Sequence, residues 1–340
     1  MHPYLIEMLA CPACHDQLQW HITERGDRHI ETAEARCKGC DAVYPVREGI
    51  GIFLTADLPR EDLWEQVDSR LAQYLSAHPD VERQLMDVPL ETLAPADQFF
   101  RAMILEERGE YGQAKTAADI ARTRIYTQEY LACSDEQVNK ALEYLSAVDG
   151  PIVDLASGLC HFVEKMARKL PHPIIATDFS PRVLRRDRRR LEFFGLYDNV
   201  SLLAFDARRT PFKDKVIKTL TTYQGLANIR EPGSLLQELR RIVSDVFLVL
   251  SIFFPEDDAA NKAAIDELGL ASLLFRRPAL AHFTEAGWKA KVIHSCFGQA
   301  RPTPLGVVLD GAGIDALPVA ETNLEWCTVE AKPATWLAHA

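Results

Sequence analysis

Residues 152–178 read IVDLASGLCHFVEKMARKLPHPIIATD, and this stretch decides the fold. IVDLA is an apolar run too short for a helix, FVEKMARKL repeats its apolar residues at helical spacing, and IIATD returns to a β-branched apolar run. The stretch therefore spells strand, loop, helix, strand. Ser180-Pro181 then supplies an N-cap and a first-turn proline for another helix. Further along, VSLLAFDA (200–207), TLTTYQG (219–225) and VFLVLSIFF (246–254) continue the alternation, with Ser234 and Gln237 spaced as a capping box between the last two. Strands alternating with helices of this length predict an α/β fold: a doubly wound, Rossmann-like parallel sheet covered on both faces. The tail departs from the alternation. FTEAGW (283–288) reads as a helix end, and KVIHSCFG (291–298) and LEWCTVEA (324–331) read as two strands, predicting a closing antiparallel pair.

Outward from this core, the chain of 340 residues has room for more than one unit. Three are expected: 1–56, a small Cys-containing unit; 57–147, an acidic helical connector or cap; and 148–340, the α/β domain. In the connector, Leu63, Val67, Leu71 and Leu75 recur every four residues, and Ser134 with Gln137 is spaced as a capping box before VNKALEYLSAV. The net charge of −11 is unevenly spread: residues 57–149 carry 9 Lys/Arg against 19 Asp/Glu, and 150–220 carry 14 against 8. The acidic total opposes bulk attraction to nucleic acid, but the basic middle does not. No apolar run approaches the ~20 residues a membrane helix needs, and no signal or transit peptide is visible, so a cytoplasmic protein is expected.

The first unit is too small to hold itself together by a hydrophobic core. Cys11-Pro-Ala-Cys14 and Cys37-Lys-Gly-Cys40 are two CxxC knuckles with 22 residues between them. Each knuckle offers two thiolates to one ion, and four soft ligands suit tetrahedral Zn2+. With four protein ligands the ion has no open position for water or substrate, so its role is structural or docking. The other four cysteines, Cys133, Cys160, Cys296 and Cys327, are scattered, which favours a metal site over a disulfide framework. VYPVREGIGIF (43–53), with Gly49 and Gly51, reads as short strands and turns.

Two resemblances follow from these residues. LIEMLACPAC (5–14) and CKGCDAVYPVREGIGIF (37–53) resemble the zinc-ribbon proteins that activate several tRNA and protein methyltransferases as a separate subunit. A fused copy implies a methyltransferase in the same chain and a protein-docking role for the ribbon. Residues 148–335 resemble the seven-stranded S-adenosylmethionine-dependent methyltransferases. That likeness implies a loop for the methionine part of the cofactor at Asp154, Ala156 and Gly158, a ribose acceptor at Asp178 with Phe179 beside the adenine, and an adenine contact at Asp206 and Ala207. Where the family has three glycines, this chain has Ala156, Gly158 and Cys160. Cys160 reads as a small buried hydrophobe.

The fourth strand end, YQGLAN, lacks the NPPY-type tetrapeptide that holds planar nitrogen, which argues against amide or exocyclic-amine targets. Tyr223, Gln224 and Asn228 are candidates for orienting an acceptor, and the expected acceptor is a small molecule or RNA. Arg182, Arg185, Arg186 and Arg189 form a basic stripe at helical spacing opposite Leu184 and Leu191, followed by Arg208 and Arg209; it is an RNA surface or a solvated helix face. Arg122, Arg124 and Tyr126 are expected to close over the cofactor, and His161 is a candidate base. The alternatives to an active methyltransferase are a degenerate fold serving as a binding or scaffold subunit, and a nucleic-acid-binding regulator.

Overall fold

The computed structural model describes residues 1–55, 71 and 73–334. Of the expected helical repeat, Leu71 and Leu75 are helical, while Leu63 and Val67 lie outside the described residues. The strands are β1 (Leu18–Arg25), β2 (Ile30–Cys37), β3 (Val43–Arg47), β4 (Ile50–Ile52), β5 (Ile152–Asp154), β6 (Ile174–Asp178), β7 (Val200–Ala204), β8 (Ile217–Tyr223), β9 (Val243–Phe253), β10 (Trp288–Ala300) and β11 (Thr322–Pro333).

The expected doubly wound sheet is present, with helices alternating between its strands. β5 to β11 supply seven strands, and the four strands of the ribbon extend the same sheet. All 11 strands form one sheet in the order β1-β2-β3-β4-β7-β6-β5-β8-β9-β11-β10. The join lies where β4 pairs in parallel with β7, Ile50 against Leu202 through Ile52 against Ala204. Gly51 permits this approach, because a Cβ there would stand 2.7 Å from Leu203 Cδ2. Phe53 N–H then donates to Ala204 O at 2.7 Å, and Ala10 N–H to Pro211 O at 2.8 Å. Leu5, Leu9, Ile30, Val46 and Phe53 share one buried cluster with Val153, Ile175, Leu203, Phe212 and Phe247. A CxxC knuckle pair can be recognised from spacing; the docking of β4 on β7 depends on side-chain fit 150 residues away and carries no local signal.

At the other end β11 runs antiparallel to both β9 and β10, so the predicted closing pair is present. The helix Arg276–Glu285 ends as FTEAGW predicted, with Gly287 at φ 82°. Two capping boxes are not caps. The helix Gln128–Leu145 begins at Thr127, whose Oγ1 accepts from Tyr130 N–H. Ser134 and Gln137 lie buried inside it: Ser134 Oγ meets Tyr223 OH at 3.2 Å, and Gln137 Nε2 donates to Ser251 O and Cys327 O at 2.8 and 2.7 Å. Polar residues that mimic a helix start therefore fasten the connector to β8, β9 and β11. Ser234 likewise sits within the first turn of Pro232–Ile242 and donates to Glu231 O. Ser180 is an N-cap, its Oγ accepting from Val183 N–H at 3.4 Å.

The scattered cysteines are not all isolated: Cys133 of that connector helix and Cys296 of β10 are disulfide-bonded, with Cα atoms 5.5 Å apart. Among the described residues no helix is long and apolar enough to cross a membrane.

Candidate functional site

The sheet reverses its winding between β5 and β8, and the carboxyl ends of strands at such a switch point are where open α/β sheets hold ligands. Asp154 ends β5 with 1% exposure, and Thr221 Oγ1 donates to its Oδ1 at 2.8 Å. Burial pushes its carboxyl up to about 7, with the Asp178 charge adding to the effect and Thr221 opposing it. Between about pH 4 and 7 the unfolded carboxyl is ionised and the folded one protonated, so stability falls as pH rises across that window. A three-unit shift corresponds to at most about 4 kcal/mol. Asp154→Asn is expected to flatten the decline in urea midpoint between pH 4 and 7 relative to the parent; parallel curves would remove Asp154 as the cause.

The loop after Asp154 turns by left-handed backbone at Ala156, Gly158 and Cys160, with φ 53°, 53° and 55°. Ala156 and Cys160 adopt this conformation without being glycine, at a cost of order 1 kcal/mol each. The backbone amide of Gly158 donates to Asp178 Oδ2 at 3.0 Å, and Ser180 N–H to Asp178 Oδ1 at 3.0 Å. Asp178 therefore ties the loop after β5 to the helix start after β6, and it stays 9% exposed. Ala156 is accommodated from across the sheet by Gly225, where a Cβ would lie 2.7 Å from that of Ala156. The glycine missing from the loop reappears at the end of β8.

Cys160 is 1% exposed, and burial raises its thiol well above the ordinary range, as expected of a buried hydrophobe. Behind it lies Asp187, wholly buried, whose carboxyl is also pushed well up by burial and touches the Cys160 thiol. Sequence spacing did not mark Asp187, which looks like one charge among arginines. Asp206 is at the third strand end as predicted, but its carboxylate is held by Arg208: the amide and Nε donate to Oδ1 at 2.9 and 3.0 Å, and Nη2 to Oδ2 at 2.7 Å. Ala207 is 9% exposed beside it, and Phe179 follows Asp178 partly exposed. Tyr223 is tied to Ser134 and packs on Phe162 at 5.8 Å, Gln224 is half-buried at φ 56°, and Asn228 is exposed.

The other predicted residues separate. His161 is an exposed first residue of the helix His161–Lys169. Arg122 donates to Asp135 and Arg124 to Leu93 O, whereas Tyr126 crosses to Asp315 Oδ2 at 2.8 Å. Only the tyrosine reaches over toward the end of the sheet. In the basic helix, Arg186 lies 3.9 and 3.5 Å from Glu106 and Glu107. Arg190 binds Glu106 and Glu164 at 3.0 Å, and Arg188 binds Glu31 of β2 at 2.8 Å. Of the stripe, Arg186 is thus ion-paired with the connector while Arg185 and Arg189 are exposed; Arg188 and Arg190, outside it, pair with the ribbon and with Glu106 and Glu164.

In the ribbon, the four sulfurs of Cys11, Cys14, Cys37 and Cys40 lie within 4.8 Å of one another. Four ligands at about 2.3 Å from one ion would stand at this spacing, so the set fits Zn2+. Gly39 and Cys40 amides donate to Cys37 Sγ at 3.3 and 3.4 Å, and Tyr44 OH lies 3.4 Å from Cys11 Sγ. Such outer contacts orient thiolates for a metal.

Two parts of the chain match family models, one of a methyltransferase domain and one of a zinc-ribbon protein. Residues 152–245 match the family model described as a methyltransferase domain, and residues 2–49 match that of the Trm112p-like proteins. Among curated proteins, the chain is similar to the ubiquinone/menaquinone biosynthesis C-methyltransferase UbiE of Pseudoalteromonas translucida, 27% identical over 116 residues, covering 33% of this chain and 46% of the relative. It is similar to UbiE of Yersinia pestis at 29% over the same length and coverage. The chain thus spans about half the length of the curated relatives it matches. Among solved structures, YcgJ of Bacillus subtilis has a TM-score of 0.47 at 14% identity, covering 59% of this chain and 99% of that one. A putative methyltransferase of Bacillus halodurans has a TM-score of 0.46 at 18% identity, covering 59% and 100%.

Proposed function

We propose that the chain is an S-adenosylmethionine-dependent methyltransferase acting on a small molecule or RNA, with a zinc ribbon that stabilises the catalytic sheet. The observation that carries this reading is the Asp154, Gly158 and Asp178 constellation at the winding switch, with room for the Ala156 loop made by Gly225. Loop 156–158 and the start of the helix behind it would hold the methionine part, since backbone N–H groups at a helix start favour a carboxylate. Asp178 and Phe179 would hold the ribose and adenine, and Asp206 and Ala207 the far edge of the base. S-adenosylmethionine, when bound, would supply an electrophilic methyl group for transfer to the acceptor. The protein's share is alignment in a dry site, to which Tyr223, Gln224 and Asn228 at the end of β8 contribute.

The pairing of Arg186, in the stripe, with Glu106 and Glu107 supports the small-molecule acceptor over RNA. A protein partner remains a role for the outward ribbon face. The fork of Arg208 on Asp206 favours a second reading, a methyltransferase fold kept as a binding or scaffold subunit.

Calorimetric titration of S-adenosylmethionine into zinc-loaded protein separates the two. Micromolar binding is expected, weakened at least about 100-fold, or ~2.7 kcal/mol, in Asp178→Ala. Binding to neither protein would favour the scaffold.

A further inference from the structure

At the carboxyl ends of β8 and β9 lies a cavity of about 280 Å3. That is near the low end of the ~300–1,000 Å3 typical of small-molecule sites. Its wall is mostly hydrocarbon: Leu226, Ala227, Phe254, Leu270, Leu274 and Leu317. Of the residues lining it, none is Lys, Arg or His. The polar groups are few: Gln224, Asn228, Ser251 and Tyr130, with one carboxylate, Asp315. A phosphate or carboxylate would enter without a cation to pair with and would meet Asp315, and a buried unpaired charge is costly.

The cavity adjoins the cofactor loop. Gln224 and Leu226 both line it, and Gly225 between them is the residue in contact with Ala156. Gln224 N–H donates to Leu250 O at 2.8 Å, which holds this turn in place.

Residues 315–318 cover it on one side, and the segment 301–321 between β10 and β11 to which they belong is fastened at three points. Asp97, wholly buried, accepts from the amides of Val307, Val308 and Leu309 at 3.1–3.3 Å. Tyr126 OH donates to Asp315, and buried Asn261 accepts from Val319 N–H at 2.8 Å and donates to Ala320 O at 3.0 Å. Two of these anchors, Asp97 and Tyr126, come from the connector. The connector therefore builds the cover of an apolar chamber.

We propose that this chamber receives the methyl acceptor, and that the acceptor is a small, uncharged, largely apolar molecule. The proposal rests on the S-adenosylmethionine reading above and narrows its substrate class.

The test uses full-length, zinc-loaded protein and three probes followed separately: S-adenosylhomocysteine, naphthol, and naphthalenesulfonate as a charged probe built on the same ring system. Naphthol is expected to bind at least about tenfold more tightly than the sulfonate. Leu274→Trp, which fills the chamber away from the cofactor loop, is expected to weaken naphthol at least about tenfold while S-adenosylhomocysteine affinity stays within about twofold. Leu317→Phe, filling the chamber from the segment between β10 and β11, is expected to do the same and serves if the first variant does not fold. Naphthol that fails to bind, binds no better than the sulfonate, or binds parent and filled variants alike overturns the proposal, whatever the cofactor does. Naphthol binding without S-adenosylhomocysteine binding overturns the methyltransferase reading and with it the acceptor role of the chamber.

Discussion

Cys37→Ser is expected to remove zinc and to lower the melting temperature of the whole sheet, not merely of the ribbon. Three thiolates leave the ion without its fourth strong ligand, and in isolated zinc-finger peptides the metal contributes roughly 10 kcal/mol or more to folding. In this chain the effect should spread. β4 is hydrogen-bonded along β7, the methyltransferase strand that leads to Asp206, and Phe53 and Leu5 belong to the same buried cluster as Val153 and Phe247. Losing the ribbon would expose that face and leave β7 an unpaired edge. The measurement is zinc content by elemental analysis with differential scanning calorimetry. One transition at a lower temperature, with zinc falling from about one ion per chain to none, is the expected result. Two transitions, the later unchanged from the parent, would mean that β4 and the shared cluster do not couple the ribbon to the sheet.

The second large effect concerns Cys133 and Cys296, 163 residues apart in sequence. Closing a loop of that length removes chain entropy from the unfolded state worth about 5 kcal/mol in the loop-closure treatment. With an unfolding entropy of ~2.1 cal/mol/K per residue, a chain of this length should melt about 7 °C lower after reduction. Cys133→Ser should melt like the reduced parent and be insensitive to reductant, and free-thiol counting on denatured protein checks that the bond was present. A parent that melts at the same temperature with and without reductant, its thiols counted as bonded in one case and free in the other, would contradict this. The bond also has a local consequence. It joins the connector helix to β10 one turn from Tyr130, which lines the chamber and packs edge-on against Trp326 at 4.9 Å.

The site shows where reading a sequence succeeds. The positions of Asp154 and Asp178 were legible because each ends a strand, and a strand end is a local event marked by a change in apolar pattern; Gly158 follows in the loop after β5. The four cysteines were legible because one ion requires two close pairs. Asp97, Asn261 and Asp315 were not legible, since each acts on backbone or side chains 58 to 212 residues distant. In sequence they are ordinary polar residues in helices or loops. Ser134 and Gln137 were misread for a related reason. A serine three residues before a glutamine satisfies the local rule for a helix start, and only the packing of that helix on β8, β9 and β11 assigns the two side chains to other partners. Within the arginine stripe, the pairing of Arg186 depends on Glu106 and Glu107 from the connector, and the arginines beside the stripe, Arg188 and Arg190, depend on Glu31 and Glu164 from two further elements.

By itself the sequence determined the α/β class, the strand ends at Asp154 and Asp178, the two cysteine pairs of the ribbon and the closing antiparallel pair, because these depend on periodicity and spacing within about 30 residues. Only the tertiary structure decided that ribbon and methyltransferase domain share one sheet, that Gly225 makes room for Ala156, that two distant cysteines meet, and that the connector roofs an apolar chamber. Each of these is a contact between surfaces far apart in the chain, chosen by shape and buried area rather than by any local pattern.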